Sequence, residues 1–184
     1  MNNVNSPAFN PAFNQQTQPV YAFALDEDSA VNAGVLPFIT ETGAYTVQIE
    51  RAEYQQASTG SHGLYFRVKT AEGLSGSFSL SYARADGSKI FGADFINAML
   101  YLLGIPGFTW ANAVNEKGQP IQVAAELSGQ LIGGVLESVK NQNDDGRHME
   151  LRQVFEPVSR CTASEAKRGE KPEAVAKMLQ RLGC

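Results

Sequence analysis

The chain has 184 residues, a length that fits one compact domain with tails and is short for two full domains. Apolar residues make up 43% of it, which excludes an entirely disordered chain. The net charge of −4 and the pI near 5.2 exclude a protein that coats nucleic acid by bulk positive charge, although a local basic groove is compatible with both values.

No apolar run approaches the roughly 18 residues that a membrane span needs, and the N-terminus lacks the basic and apolar regions of a signal peptide. Two cysteines, Cys161 and Cys184, and two histidines are not spaced as zinc ligands. We therefore expect a cytoplasmic protein with reduced thiols, no membrane association and no metal.

Residues 1–20 are rich in Asn, Gln and Pro and contain the unit Pro-Ala-Phe-Asn twice, at 7–10 and 11–14. Such a segment cannot bury enough apolar area to offset its ordering entropy, so it is predicted to be a disordered leader. Its two phenylalanines either dock on a partner or a neighbouring subunit, or belong to a leader with no such role.

Alternation of apolar and polar residues predicts three strands, at Tyr45–Arg51, Leu64–Thr70 and Ser77–Tyr82. A polar loop at 55–63 and a short turn at Glu72-Gly73 separate them. The three runs are close enough in sequence to form an antiparallel meander.

A change of period predicts a helix from Ala93 to Leu103, because apolar residues recur there at three- and four-residue spacing. Gly104 stands where a C-terminal cap belongs. Residues 107–128 are predicted to be a long connection, with a short helix at Ile121–Leu127.

Two further strands are predicted at Gln130–Lys140 and His148–Phe155, joined by a hairpin turn at Asn143–Gly146. The pair Gly133-Gly134 indicates a bulge or a sharp bend in the first of them.

The order strand, strand, strand, helix, strand, strand is that of the OB-type fold, a mainly β, five-stranded Greek-key barrel with a helix between strands 3 and 4. We predict this domain over residues 21–157. The leader 1–20 precedes it, and a tail over 158–184 follows it with a short C-terminal helix from Pro172 to Leu182.

The second predicted strand is the most informative segment for function. If its apolar residues face the core, then Tyr65, Arg67 and Lys69 share the outer face. An exposed ring offers a surface on which any base can stack, and cations track phosphates. The outer face of the next strand carries only small hydroxyls, at Ser77, Ser79 and Ser81. The alternative is a solvated strand face without a ligand.

Other residues extend this nucleic-acid-binding hypothesis, either as a second stacking platform or as cations along the same track. They are Tyr54, Arg84, Lys89, Lys140, Arg147 and Arg152. The alternative for the loop cations is simple solvation.

Enzyme signatures are absent from the sequence. It contains no P-loop, Gly73–Ser77 lacks the final glycine of a nucleophile elbow, and an EF-hand-like opening at Asn141 has Arg152 where the bidentate Glu is needed. We therefore predict a non-enzymatic protein with no catalytic residue and no cofactor.

Over roughly residues 40–157 the chain resembles the small single-stranded-DNA-binding proteins that bacteriophages encode. The segments that carry the resemblance are Thr42–Tyr45, Gly63–Phe66, Gly76–Tyr82, Phe95–Gly104, Leu127–Gly133 and Met149–Phe155. It implies a protein that coats and protects single-stranded DNA during phage replication or recombination, in the cytoplasm of the infected bacterial cell. Implied partners are the DNA, further copies in a homo-oligomer or cooperative array, and replication or recombination proteins.

One departure from that family is the C-terminus, which ends Ala-Lys-Met-Leu-Gln-Arg-Leu-Gly-Cys184 where many such proteins have an acidic tail. The alternative function is that of a non-catalytic phage structural or adaptor protein acting through protein–protein contacts. The outer face around Tyr65 separates the two, because a DNA-binding protein needs this face open and electropositive.

Overall fold

The computed structural model describes residues 24–27, 30 and 37–184 and divides the chain into two units, Met1–Val35 and Leu36–Cys184. In the first unit Glu27 and Ala30 are helical, and the Ala30 N–H donates to the Asp26 carbonyl at 2.9 Å. The predicted leader 1–20 lies outside the described residues.

The second unit is mainly β, with an antiparallel sheet and a few helices. Over residues 37–184 the strands are β1 (Gly43–Gln56), β2 (His62–Thr70), β3 (Ser75–Ala83), β4 (Trp110–Val114), β5 (Pro120–Ala124), β6 (Leu131–Lys140) and β7 (Arg147–Phe155). The helices of the same range are α1 (Gly92–Leu103), α2 (Ala163–Arg168) and α3 (Ala174–Leu182), with a 3₁₀ turn at Ala125–Leu127.

The strands pair antiparallel around β1, which is hydrogen-bonded to β2, β5 and β6. β2 continues to β3, and β6 continues to β7. β3 and β7 run beside each other, with Cα atoms within 8 Å. No ladder joins these two fully described strands, so the sheet is open along this seam.

The core lies between these strands and α1. Phe66 stacks on Phe78, with ring centroids 4.9 Å apart, and Met99 of α1 is fully buried in the same cluster. Leu64 and Val68, like Phe66, have no exposed area, so the predicted inward face of β2 is confirmed.

Helix α1 confirms the predicted helix and its end. Gly104 adopts the left-handed conformation with φ of 67°, and its N–H donates to the carbonyls of the last turn. A glycine adopts this conformation without the steric cost that a side chain would add.

The prediction for residues 107–128 is wrong, because they form the hairpin β4–β5 and only the 3₁₀ turn Ala125–Leu127 replaces the predicted helix. Within residues 37–184 the number of strands is therefore seven and not five. Asn115 builds the hairpin turn: its Oδ1 accepts hydrogen bonds from the backbone N–H groups two and four residues later, at 2.9 Å each. Gly118 completes the turn with φ of 73°.

The C-terminal segment folds onto the sheet. Helix α3 confirms the predicted C-terminal helix, and its Val175 packs with Val135 and Phe155 in a second small core. Helix α2 is an addition that the periodicity did not predict. The signal for it is the capping box Thr162-x-x-Glu165.

The Glu165 carboxylate holds α2 and α3 together. It accepts hydrogen bonds from the Thr162 N–H at the start of α2, and from the Glu173 and Ala174 N–H groups at the start of α3. Burial acts to raise the pKa of Glu165, but these hydrogen bonds outweigh it and lower the pKa to about 2.

Among the described residues, no helix has the length and apolar character needed to cross a membrane. The same residues contain no group of three His, Cys, Asp or Glu side chains placed to hold a metal ion.

Glu165→Ala should destabilise the C-terminal helices by about 2–3 kcal/mol, because it leaves the N–H groups of Thr162, Glu173 and Ala174 without this acceptor. The group's folded pKa is depressed, so its stabilising effect is present above its unfolded pKa and is lost as pH falls towards about 2. Amide exchange measured at pH 7 should show lost protection in 162–182. Unchanged protection would contradict the capping role.

Gly133→Ala should destabilise the fold by about 1–3 kcal/mol through overpacking. A Cβ at residue 133 would lie 2.2 Å from the buried ring of Phe155, whereas one at Gly134 would lie 3.1 Å from the terminal Cδ1 of Leu151. Gly134→Ala is therefore the matched control and should cost less in urea unfolding. Equal costs would show that the close approach to Phe155 is not the reason for Gly133.

Candidate nucleic-acid interface

The outer face of β2 carries the residues that were predicted to contact nucleic acid. Tyr65 and Arg67 are half-buried and Lys69 is exposed, whereas the residues that alternate with them are buried. Because β2 is paired with β1 on one edge and β3 on the other, its side chains alternate between two faces. The structure therefore places these three residues on one face, as predicted.

β3 adds small hydroxyl side chains to this face. Ser79 lies opposite Tyr65, and Ser77 lies opposite Arg67. A serine rises little above the sheet, so a ligand has room to approach the backbone beside Tyr65.

A groove runs along the seam between β3 and β7 and continues across β2. Its first part, about 410 Å³, extends from Tyr65 to Phe91, and its second part, about 550 Å³, extends from Tyr65 and Arg67 to Phe38. Both parts are lined by Tyr65, Ser77, His148 and Met149. They therefore form one groove, with Tyr65 near its middle.

Two strongly exposed aromatic side chains line the two parts of the groove. Phe91 is 73% exposed and meets Phe95 edge-on, with ring centroids 5.0 Å apart. Phe38 is 58% exposed, and its backbone lies against the edge of β3 through an isolated bridge to Ser75. These two rings and the half-buried Tyr65 are the candidate stacking platforms of the groove, whose lining also includes Phe78 and Phe95.

Phe38 and Phe91 were not predicted from the sequence as residues of the site. Phe91 stands four residues before Phe95, so it resembles one more member of the buried stripe of α1, but the helix begins at Gly92. Phe38 belongs to a segment without periodicity, and only its bridge to Ser75 places it at the groove. The available signal was a large apolar residue directly before a helix start.

Arg67 is not a free cation. Its Nη1 pairs with Glu116, and its Nε lies 3.5 Å from Glu53 Oε1. Glu53 also pairs with Arg51 at 2.8 Å. The Nε atom of Arg67 is buried and has no hydrogen-bond partner in the part of the chain that the structure describes.

Arg152 and Arg147 also line the groove, and both are held by neighbouring groups. Arg152 pairs with Glu137 and, at 2.7 Å, with Glu150. Arg147 donates to the hydroxyl of Ser138 at 2.8 Å and to its carbonyl at 2.7 Å.

The charges that line the groove balance. The arginines are Arg67, Arg147 and Arg152, and the carboxylates are Glu50, Glu116 and Glu150. The face around Tyr65 is therefore open, as a DNA-binding protein requires, but it lacks the excess of positive charge that the sequence analysis required.

Tyr54 does not share this face. Its hydroxyl lies 2.6 Å from His62 Nδ1, and its ring meets Trp110 edge-on with centroids 5.5 Å apart. A bulge in β1 between Ile49 and Arg51 shifts the alternation, so Tyr54 faces inward while its neighbour points outward beside Tyr65.

The remaining predicted cations lie outside the described lining of the groove. Arg84 and Lys89 are exposed in the connection between β3 and α1, and Lys69 lies further along the outer face of β2. Lys140 pairs with Asp145 at 3.1 Å on the β6–β7 hairpin.

No protein-family model matches this chain, and no curated protein matches it in sequence.

Proposed function

We propose that this chain is a non-catalytic single-stranded-DNA-binding protein whose described domain is an OB-type barrel. The strand pairing supports the barrel, since β1, β2 and β3 form a meander and β6 and β7 return on the other side of β1 to the free edge of β3. Helix α1 lies between the third and fourth strands of that barrel, and the β4–β5 hairpin is an insertion after the helix.

The observation that carries the function is the groove in which Phe38, Tyr65 and Phe91 offer three accessible rings beside a serine-lined strand. Base stacking on an aromatic ring contributes about 1–3 kcal/mol per base and tolerates any base. Phe38, Tyr65 and Phe91 thus suit a strand of variable sequence.

The same groove favours single strands over duplex. In a duplex the faces of the bases are covered by their neighbours, so rings that act by stacking gain nothing from it. Duplex DNA attracts proteins non-specifically through its phosphates, and a groove with balanced charge offers little such attraction.

The biological role follows from the resemblance in sequence. The protein would coat and protect single strands exposed during phage replication or recombination in the host cytoplasm. Its partners would be further copies on the same strand and the enzymes that act there.

Fluorescence anisotropy should show oligo-dT binding that is at least tenfold tighter than binding of a matched duplex. The affinity should fall only gradually with salt. Each phosphate neutralised on a single strand contributes about 0.7 to the slope of log K against log salt, so three groove arginines give a slope of at most about 2. Equal affinity for duplex, or no binding at low salt, would refute the function and favour an adaptor role.

Tyr65→Ala should weaken oligo-dT binding by about 1–3 kcal/mol while the protein stays folded. Phe66→Ala should instead cost about 3–5 kcal/mol of stability, because Phe66 is fully buried against Phe78. Melting temperature and affinity are measured for both variants. Tyr101→Ala is the matched control, since Tyr101 is 51% exposed on α1 and outside the described groove lining. A loss of binding in that control equal to the loss in Tyr65→Ala would show that the groove is not the site.

A further inference from the structure

We propose that Glu116, at the tip of the β4–β5 hairpin, occupies the position of a nucleic-acid phosphate on Arg67 and so gates the groove. This inference rests on the proposed single-stranded-DNA function and adds its regulation. It starts from the contact between two side chains that are 49 residues apart in sequence.

The hairpin holds Glu116 in place. Asn115, directly before it, fixes the turn through two backbone hydrogen bonds at 2.9 Å and one from its amide to the Gln119 side chain at 3.0 Å. The base of the hairpin pairs with β1 through Glu53 and Val123. Glu116 is therefore presented to Arg67 by an ordered element.

Arg67 could give a phosphate the same donor that it gives Glu116. The guanidinium group offers a planar fork of donors that matches two oxygens of a phosphate or carboxylate. Glu116 engages Nη1, while Nε keeps no hydrogen bond among the described residues. Nε is buried and its N–H points away from Nη1, so a phosphodiester that displaced Glu116 would accept from Nη1 and not from Nε.

Fold stability does not explain the carboxylate at the tip. The Glu116 side chain is 73% exposed, and exposed ion pairs contribute little to stability. Glu53, whose side chain is only 14% exposed, already lies beside Arg67. The charge of Arg67 therefore has a partner without Glu116.

The consequence for binding is an exchange of one anion for another. A strand phosphate must displace the carboxylate of Glu116 before it reaches Arg67. A lone anion gains little from this exchange, whereas a strand that also stacks its bases on the rings gains enough to drive it. The gate thus favours nucleic-acid strands, which carry bases, and disfavours polyanions without bases.

Glu116→Gln should tighten oligo-dT binding by about three- to fivefold at low salt, since it removes a competitor worth up to about 1 kcal/mol. It should also steepen the salt dependence by about 0.7, because the counterion that leaves the strand phosphate is then no longer offset by one taken up at the freed Glu116 carboxylate. The measurement is anisotropy at several salt concentrations, with melting temperature recorded for each variant.

Glu170→Gln is the matched control, because it removes the same charge from an exposed ion pair. Glu170 pairs with Arg168 at 3.0 Å, and neither residue lines the groove. In an Arg67→Gln background, Glu116→Gln should change the affinity no more than the control does.

Three outcomes would overturn the gate. If Glu116→Gln equals Glu170→Gln while the wild type binds oligo-dT, the gate fails and the proposed function stands. If the tightening persists without Arg67, Glu116 acts only through general charge. If neither wild type nor variant binds oligo-dT, the proposed function fails and the gate fails with it.

Discussion

Strand β2 is hydrogen-bonded along both edges and buried on one face, and the groove depends on this double constraint. A slip of one residue would expose Phe66 and bury Arg67, which would remove a stacked ring pair from the core and leave a charge inside it. The register is therefore strongly specified. Tyr65 and Arg67 owe their positions to the sheet and not to a loop, so the central ring of the groove is held by a strand that is paired on both edges.

The elements that pack one apolar face against the core could be predicted from the sequence. In these elements the apolar residues recur every two residues in a strand or every 3.6 in a helix, because each element buries one side. They are β2, β3, α1 and the β6–β7 pair. The β4–β5 hairpin leaves a weak pattern, since alanines at 111 and 113 provide little contrast with their neighbours. The sequence signals that could have predicted these elements are the turn residues Asn115 and Gly118 for the hairpin, and the capping box for α2.

The candidate site could be predicted only where it follows from strand alternation. Strand alternation predicts Tyr65, Arg67 and Lys69 on one face, whereas Tyr54, predicted as a second stacking platform, is turned to the other face by the bulge after Ile49. The rings at Phe38 and Phe91, and the acids that pair with Arg67 and Arg152, depend on contacts between distant segments. No local pattern encodes which carboxylate will meet which arginine.

Balanced charge changes how an acidic protein could hold a polyanion. Three stacked bases would contribute about 3–9 kcal/mol before the cost of ordering the strand, whereas a micromolar dissociation constant corresponds to about 8 kcal/mol. One groove would therefore bind a short strand weakly. Tight coating would then require neighbouring copies on the same strand, since linked sites gain avidity without any new contact within each groove. Under this proposal, pairing each groove arginine with a nearby acceptor would keep single copies from binding indiscriminately to duplex DNA, and the length of exposed single strand would decide where the protein accumulates.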